Sequence, residues 1–462
     1  MRPPETASLE EVLTLPISEL SSRIRTKKLS PLEITQACLR EIERTDPKLN
    51  AFITVTADLA LQQARDAEAE IQRGNWRGPI HGIPIALKDL IDTARVRTTA
   101  ASELFKDRTP QRDAEVVKRL RAAGAVLLGK TNLHEFAYGA SSVVSYFGPA
   151  HNPWNLQRIT GGSSSGSAAA VAAGLCYAAI GTDTAGSIRL PAAFCGIVGL
   201  KPTYGTVSTT GVIPLAWSYD HVGPMTRSVH DAALVLQEIA GYDAEDPNSI
   251  ERPCADYPAA ISAETSSLRV GIPYEFFYEQ LDAEVEQAIT AALSVLKTIS
   301  AGLTDVSVPV DPDYTVHTSE AYAFHAKFME ENSQLYQPET LRRLNRGKSH
   351  ASAEYIGRFR ELQKMRHSAA SIFRNVDVIV TPTSPVLPPT IEELQQDLDN
   401  LRKKEIVMLR NTRPFSVLGL PAISVPCGFS RAGLPIGMQI AGPPGGDAAV
   451  ISLAHAYERA QS

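Results

Sequence analysis

The sequence predicts an α/β fold: a single large domain, residues 1–462, with one β-sheet surrounded by α-helices. Three observations lead there. Short apolar runs bounded by glycine and proline alternate with amphipathic segments along the chain. The stretch "AEVVKRLRAAGAVLLGKTN" joins a helix to a strand (Ala125 to Leu128) through a glycine stop at Gly124, the repeating unit of such folds. No internal repeat or low-complexity linker interrupts the chain, so its strands are expected to share one sheet, although the length could serve two or three domains.

The elements follow in order. Residues 1–75 read as helices. "SPLE" (Ser30 to Glu33) is a helix start, with serine as cap, proline in the first turn and glutamate closing a capping box. Ile34, Cys38 and Ile42 then recur every fourth residue, which buries one face, until "DPKLN" (Asp46 to Asn50) breaks the pattern. A more polar helix follows in "ADLALQQARDAEAEIQRG". From residue 78 the texture changes, and "GPIHGIPIALKDLID" reads as a buried strand with Lys88 near its end. Further strands are expected in "LCYAAIGTDTAGS", "SLRVGIP", "VDVIVTPTS" and "PAISVPCGF". A helix in "AEVEQAITAALSVLKTI" sets Val285, Ile289 and Leu296 on one stripe. Residues 311–375 read as largely helical. "TPTSPVLPPT" reads as a rigid loop.

Composition narrows the function. With 44% hydrophobic and 21% charged residues and a net charge of −6, the chain offers no basic surface for nucleic acid or an anionic membrane. Five scattered cysteines (Cys38, Cys176, Cys195, Cys254, Cys427) show no C-x-x-C pair, so neither a disulfide framework nor a zinc site is expected. "MRPPETASLEE" turns acidic with no apolar core, which predicts no secretory leader, and Ala168 to Ile180 is too short to span a bilayer. The expected location is cytoplasmic.

The most informative stretch is "RITGGSSSGSAAAVAAG" (Arg158 to Gly174), three serines between paired glycines and a run of small residues. A phosphate loop would need lysine after its closing glycine, yet Ser167 follows Gly166. "GSSSG" matches a hydrolase nucleophile elbow centred on Ser164, but "NPWNLQRIT" makes a poor preceding strand. His81, His134 and His221 read as structural hydrogen-bonders rather than bases. The third reading is an oxyanion site: Thr184, Ala185, Gly186 and Ser187 follow a strand and can aim several backbone N–H groups at one point. Lys88, set among Ile83, Ile85, Ala86 and Leu87, is seldom found in such surroundings without a partner or a task.

"GGSSSGSAAAVAAG", "GTDTAGSIRLPAAFCGIVGLKPTYG" and "GIPIALKD" closely resemble the amidase signature family, as do the intervals of 75 residues from Lys88 to Ser163 and 24 from Ser163 to Ser187. Weaker matches run from "SPLEIT" to "PFSVLGLPAISVPCGFSRAGLPIGMQI", so the likeness covers nearly the whole chain. It implies a mixed central sheet, with 78–230 as the catalytic core and 311–410 as a variable helical region that shapes the substrate pocket. It also implies that Ser187 is the nucleophile, Ser163, on a cis peptide bond, the proton relay, and Lys88 the base, with Thr184, Ala185 and Gly186 joining Ser187 in the oxyanion hole. Such a lysine must be neutral. Lowering its pKa from ~10.4 to roughly 7–8 is a differential interaction of about 3–5 kcal/mol, which burial can supply.

Other residues carry two readings. Gly162, Ser164, Asp183, Tyr138, Trp217 and Tyr322 are candidates for substrate binding; Ser164 and Ser165 equally read as hydrogen-bonders within the loop, Asp183 as a residue orienting the hole, and the aromatics as core. Arg189 could meet a substrate carboxylate, though anchoring the loop is the simpler reading. Cys195 is not needed as a nucleophile. Where relatives have "GGSSGGS" and "KPTYGR", this chain has Ser165 and Thr206, the second removing a charge near the expected mouth. The resemblance implies no metal and no organic cofactor. The expected function is a free-standing, monomeric or homodimeric amidase acting on small-molecule amides, extending to carbamates and esters, without nucleic-acid or membrane partners. Two rivals remain: the 311–375 region favours a free-standing amidase over the amidotransferase subunit that frees ammonia from glutamine for tRNA-linked synthesis, and the intact Lys88, Ser163 and Ser187 set argues against a non-catalytic binding protein on the same scaffold.

Overall fold

The computed structural model describes residues 9–461. The stretch Met1–Ser8, on which the expectation of no secretory leader largely rests, lies outside the described residues. The described residues form thirteen strands: β1 (Phe52–Val55), β2 (Pro84–Lys88), β3 (Val126–Thr131), β4 (His151–Asn152), β5 (Asn155–Ile159), β6 (Ala178–Asp183), β7 (Val198–Lys201), β8 (His221–Thr226), β9 (Val270–Ile272), β10 (Leu303–Asp305), β11 (Val378–Pro382), β12 (Ala422–Phe429) and β13 (Pro435–Ala441). Eleven share one sheet in the order β1-β3-β2-β6-β8-β7-β12-β13-β11-β9-β10, while β4 and β5 pair as a separate hairpin.

The sheet is mixed. β3, β2 and β6 run parallel, as do β11, β9 and β10, and the strands between are antiparallel. The inner strands are continuous apolar runs because helices cover both faces; every residue of β2, β3, β6 and β8 is buried. Parallel β2, β3 and β6 present their carboxyl ends at one edge, where loops of an α/β sheet commonly hold a ligand. Lys88, Thr131 and Asp183 are the last residues of those three strands. β8 begins opposite Asp183, so the residues before it arrive at the same edge.

The strands expected around Lys88, Gly181, Val270, Val380 and Ile423 are all present. Ser30 caps the helix Pro31–Leu49, accepting hydrogen bonds from the Leu32 and Glu33 N–H groups. Two readings are corrected. That helix continues through Pro47 to Leu49 rather than ending at Asp46, since a proline so near the end displaces little. Asn50, in the left-handed region at φ 51°, stops it, and the Asp46 carboxylate takes the N–H of Ala51. The first 75 residues also contain β1, which pairs with the edge of β3. No helix among the described residues is long and apolar enough to cross a membrane.

The alanine-rich tract forms the helix Ser165–Ala172, with all residues from Ser165 to Val171 buried. A helix enclosed on every side must have small side chains if its neighbours are to approach. Gly166 shows how close they come: a Cβ there would lie 2.1 Å from the Ala51 carbonyl oxygen and 2.5 Å from the Asn132 nitrogen. Gly166→Ala should therefore destabilise the fold by about 1–3 kcal/mol, read as a lower urea midpoint. An unchanged midpoint would mean that the 51 and 132 loops yield freely.

Candidate active site

Lys88 is fully buried at the end of β2. Its Nζ lies 2.7 Å from Ser163 Oγ and 2.8 Å from Thr182 Oγ1. Burial pushes its pKa down to about 7, while the carboxylates of Asp220 and Asp183 act in the opposite sense. Buried lysine alone is not diagnostic here, because Lys130 and Lys201 are buried too. Lys130 donates to the Ile91 carbonyl as well as the Thr98 hydroxyl, and Lys201 to the Leu420 and Pro202 carbonyls, with His221 Nε2 at 3.3 Å. A carbonyl can only accept, whereas both partners of Lys88 are hydroxyls that can also give up a proton. That difference in partner chemistry separates Lys88 from the other two.

Ser163 stands just before the helix Ser165–Ala172, and the Gly162–Ser163 peptide is cis. Its carbonyl accepts the His134 N–H at 3.2 Å, and the Gly166 N–H donates to the Asn132 carbonyl at 2.9 Å, so the loop after β3 grips the serine cluster. Gly162 is enclosed as well: a Cβ there would lie 2.4 Å from Ser142 Oγ. Ser164 does not project as an elbow nucleophile would. β5 does precede it, against expectation, but belongs to the separate hairpin, and Ser164 Oγ is buried against both the carbonyl and the N–H of Thr182. Ser165 Oγ donates to the Asn132 carbonyl.

The Thr184–Ser187 loop leaves β6 beside this cluster; the Ser164 N–H donates to the Ser187 carbonyl at 3.2 Å. Gly186 has φ 149°, and a Cβ there would fall 2.1 Å from Thr412 Oγ1, so the loop needs glycine for both conformation and space. Thr412 Oγ1 in turn donates to the Ala185 carbonyl at 2.7 Å. Thr184 Oγ1 donates to Asp220 at 2.5 Å.

Arg189 holds the loop from behind. Fully buried, it donates through Nε and Nη2 to the two oxygens of Asp183, through Nη1 to the Thr412 carbonyl and Gln439, and through Nη2 again to Ser416. These five bonds use all its N–H groups, so Arg189 anchors the loop and has none left for a substrate carboxylate. Burial alone would raise the pKa of Asp183, but the Arg189 charge and hydrogen bonds hold it well below the usual carboxylate range.

The outer candidates divide. Tyr138 is buried, its ring 5.5 Å from that of His317 and its carbonyl bound by Arg343. Arg343 also bonds Glu339 and Glu405 at 2.6 Å each, and Glu405 accepts Ser141 Oγ and N–H. Burial would raise the Glu405 carboxyl, yet Arg343 and His134 bring it down to about 2. Trp217 is 43% exposed and lines a surface pocket with Thr209, Val212 and Asp246. Tyr322 packs its Cβ toward Gly347, between two helices of the 311–375 region. Cys195 is buried, and burial pushes its thiol up. Thr206 does not leave its position without charge: Arg252 reaches it from another segment and donates to its hydroxyl.

Sequence reasoning misses Thr182, Asp220, Arg343, Glu405 and Thr412. Thr182 lies within a quoted motif but reads there as an ordinary strand residue. Thr412 contacts Ala185 across 227 positions, a separation with no local signature. Among the described residues, no group of three or more histidine, cysteine, aspartate or glutamate side chains is placed to hold a metal ion.

The profile of the Amidase family matches residues 33–451. The chain is 41% identical to a glutamyl-tRNA(Gln) amidotransferase subunit of Geotalea daltonii, over 97% of this chain and 98% of the relative. It is similar to the solved structure of the same amidotransferase subunit from Thermotoga maritima, with 35% identity and a TM-score of 0.80 over 97% of this chain and 95% of that one. At 29% identity and a TM-score of 0.88, over 96% and 98% of the two chains, it is also similar to a chain of a vestigial protein complex that reveals the evolutionary origins of an s-triazine catabolic enzyme. The relatives overturn the expectation of a free-standing amidase for small amides and carbamates. Their alignment takes in most of the 311–375 stretch on which that expectation leaned, and they carry the name of an amidotransferase subunit. The chain belongs to the amidase family.

Proposed function

We propose that this chain is the glutamine-hydrolysing subunit of a tRNA-dependent amidotransferase. The observation that carries the reading is its 41% identity, over nearly the full length of both chains, to a glutamyl-tRNA(Gln) amidotransferase subunit. The local chemistry is consistent with it. A serine hydroxyl is a weak nucleophile until a base takes its proton, and the lysine beside the serine cluster is held near neutrality.

In this reading Ser187 Oγ attacks the side-chain amide carbon of glutamine. Its proton passes to Ser163, whose own proton moves to Lys88 Nζ. The carbonyl oxygen becomes the anion of a tetrahedral intermediate, met by the N–H groups of the Thr184–Ser187 loop. Collapse breaks the C–N bond, with Ser163 protonating the nitrogen and recovering a proton from Lys88. Ammonia leaves. Water then attacks the acyl ester by the reverse relay and frees glutamate with Ser187 restored.

The reading replaces a monomer or homodimer with an assembly. Partner subunits would take up the ammonia, and the tRNA of the relatives' name would be a substrate of that assembly.

The deciding assay is release of glutamate and ammonia from L-glutamine by the chain combined with amidotransferase partner subunits, ATP and glutamyl-tRNA. Equimolar release is expected. If Ser187 reacts with a fluorophosphonate but no glutamate forms under these conditions, the substrate is another amide and the proposal is wrong.

Two further outcomes follow from the site. Ser187→Ala should abolish glutamate release, and Lys88→Ala should lose most of it and regain part at high pH; wild-type turnover by Lys88→Ala at neutral pH would exclude it as the base. Because only the neutral amine accepts a proton, the rate should fall as pH drops below about 7, approaching about tenfold per pH unit well below the midpoint. A flat profile from pH 5 to 9 would contradict a lysine base.

A further inference from the structure

Asp220 has no role in the relay just described, yet it stands between its two halves. It lies immediately before β8, whose first residue His221 pairs with Asp183 at the catalytic edge. One carboxylate oxygen takes the Thr184 hydroxyl at 2.5 Å. The other takes the N–H groups of Leu215 and Ala216, at 2.9 and 3.0 Å. A narrow cavity runs behind the site, and Asp220 lines it with Thr182, the second partner of Lys88, and Thr184.

We propose that Asp220 is a positioning residue that couples the oxyanion loop to the base. Its carboxylate tethers Thr184 at the start of that loop, and its negative charge stabilises the ammonium that forms on Lys88 during acylation. The proposal rests on the reading of Lys88 as base and Ser187 as nucleophile, but not on glutamine as the substrate.

The charges around the pair make the second half specific. Lys88 on β2 is faced by the carboxylates of Asp183 on β6 and Asp220 before β8. His134, after β3, is the other titratable group that interacts with Lys88, and burial keeps it neutral with a pKa near 3. Asp183 is paired at both oxygens with Arg189, so much of its field is cancelled at the source. Among the described residues no cation is hydrogen-bonded to Asp220; Glu320 and Tyr204 are the titratable side chains that face it from other segments. Burial raises its pKa to about 6, against the three hydrogen bonds that stabilise the anion. Above that pH its charge acts on Lys88. Removing it lowers the proton affinity of the amine and makes it a weaker base.

The test is the rate at which a fluorophosphonate labels Ser187 in the full-length chain, followed by peptide mass from pH 5 to 10. Asp220→Asn should move the midpoint towards acid by on the order of one pH unit and lower the plateau. Thr184→Val, which keeps the charge and cuts the tether, should slow labelling about tenfold without moving the midpoint. Thr184→Ser should restore the rate. A folded Asp220→Asn protein with the wild-type midpoint would overturn the electrostatic coupling, because a purely structural role lowers the plateau alone. Labelling of Thr184→Val at the wild-type rate would overturn the tether, and this arm decides the matter if Asp220→Asn fails to fold by circular dichroism. Absence of labelling in the wild type would overturn the nucleophile and base assignments together with this proposal, an outcome distinct from loss of either effect alone.

Discussion

The fully buried pair of Arg189 and Asp183 is the constraint on which the rest of the site depends. A guanidinium and a carboxylate taken out of water are each costly, and the cost is offset only when geometry is good and every remaining donor finds an acceptor. Here both conditions hold, with two oxygens of Asp183 matched to two edges of the guanidinium and the other three N–H groups on Thr412, Ser416 and Gln439. The pair thereby ties β6 to β13 and to the segment 412–416, which lie far apart in the chain. The Thr184–Ser187 loop starts from one end of this clamp and passes under Thr412. Its shape is set by the clamp around it together with its own Gly186, which has no side chain to meet Thr412.

A site fixed in this way can hold a lysine out of water without letting it collect a counter-ion. Lys88 is enclosed by a strand that is buried along its whole length, and its two hydrogen bonds go to hydroxyls. Burial disfavours the ammonium, hydroxyls tolerate either protonation state, and the nearby carboxylates limit how far the pKa falls. Lys130 and Lys201 are as deeply buried, but each spends a bond on a backbone carbonyl, which can only accept. Burial sets the range, and the partners decide what the amine can do within it.

Much of this is legible in the sequence because it is local. Lys88 reads as buried from its four apolar neighbours, Ser30 as a helix cap from the proline and glutamate that follow it, and the strands around Gly181, Val270, Val380 and Ile423 from their short apolar runs. β1 escapes notice because four residues at a sheet edge carry too little pattern to stand out between two helices. The pattern misplaces a helix end at Asp46 because proline breaks a helix interior but is tolerated in a last turn. Thr412, Ser416 and Gln439 leave no trace in it at all, since their part depends on contacts across more than 220 positions. The substrate escapes for a related reason. The acyl transfer proposed for serine and lysine is chemistry common to many amides.

Arg343 joins Glu339, Glu405 and the backbone of Tyr138 in a second buried network, which fixes helices of the 311–410 region against the loop after β3. Like Arg189, it has its charge met within the protein, by two carboxylates at 2.6 Å each. Both networks therefore serve placement rather than recognition. One fixes the loop that follows β6 and the other the loop that follows β3. In the sheet β2 lies between these two strands, so the end of β2 that carries Lys88 is held from both sides.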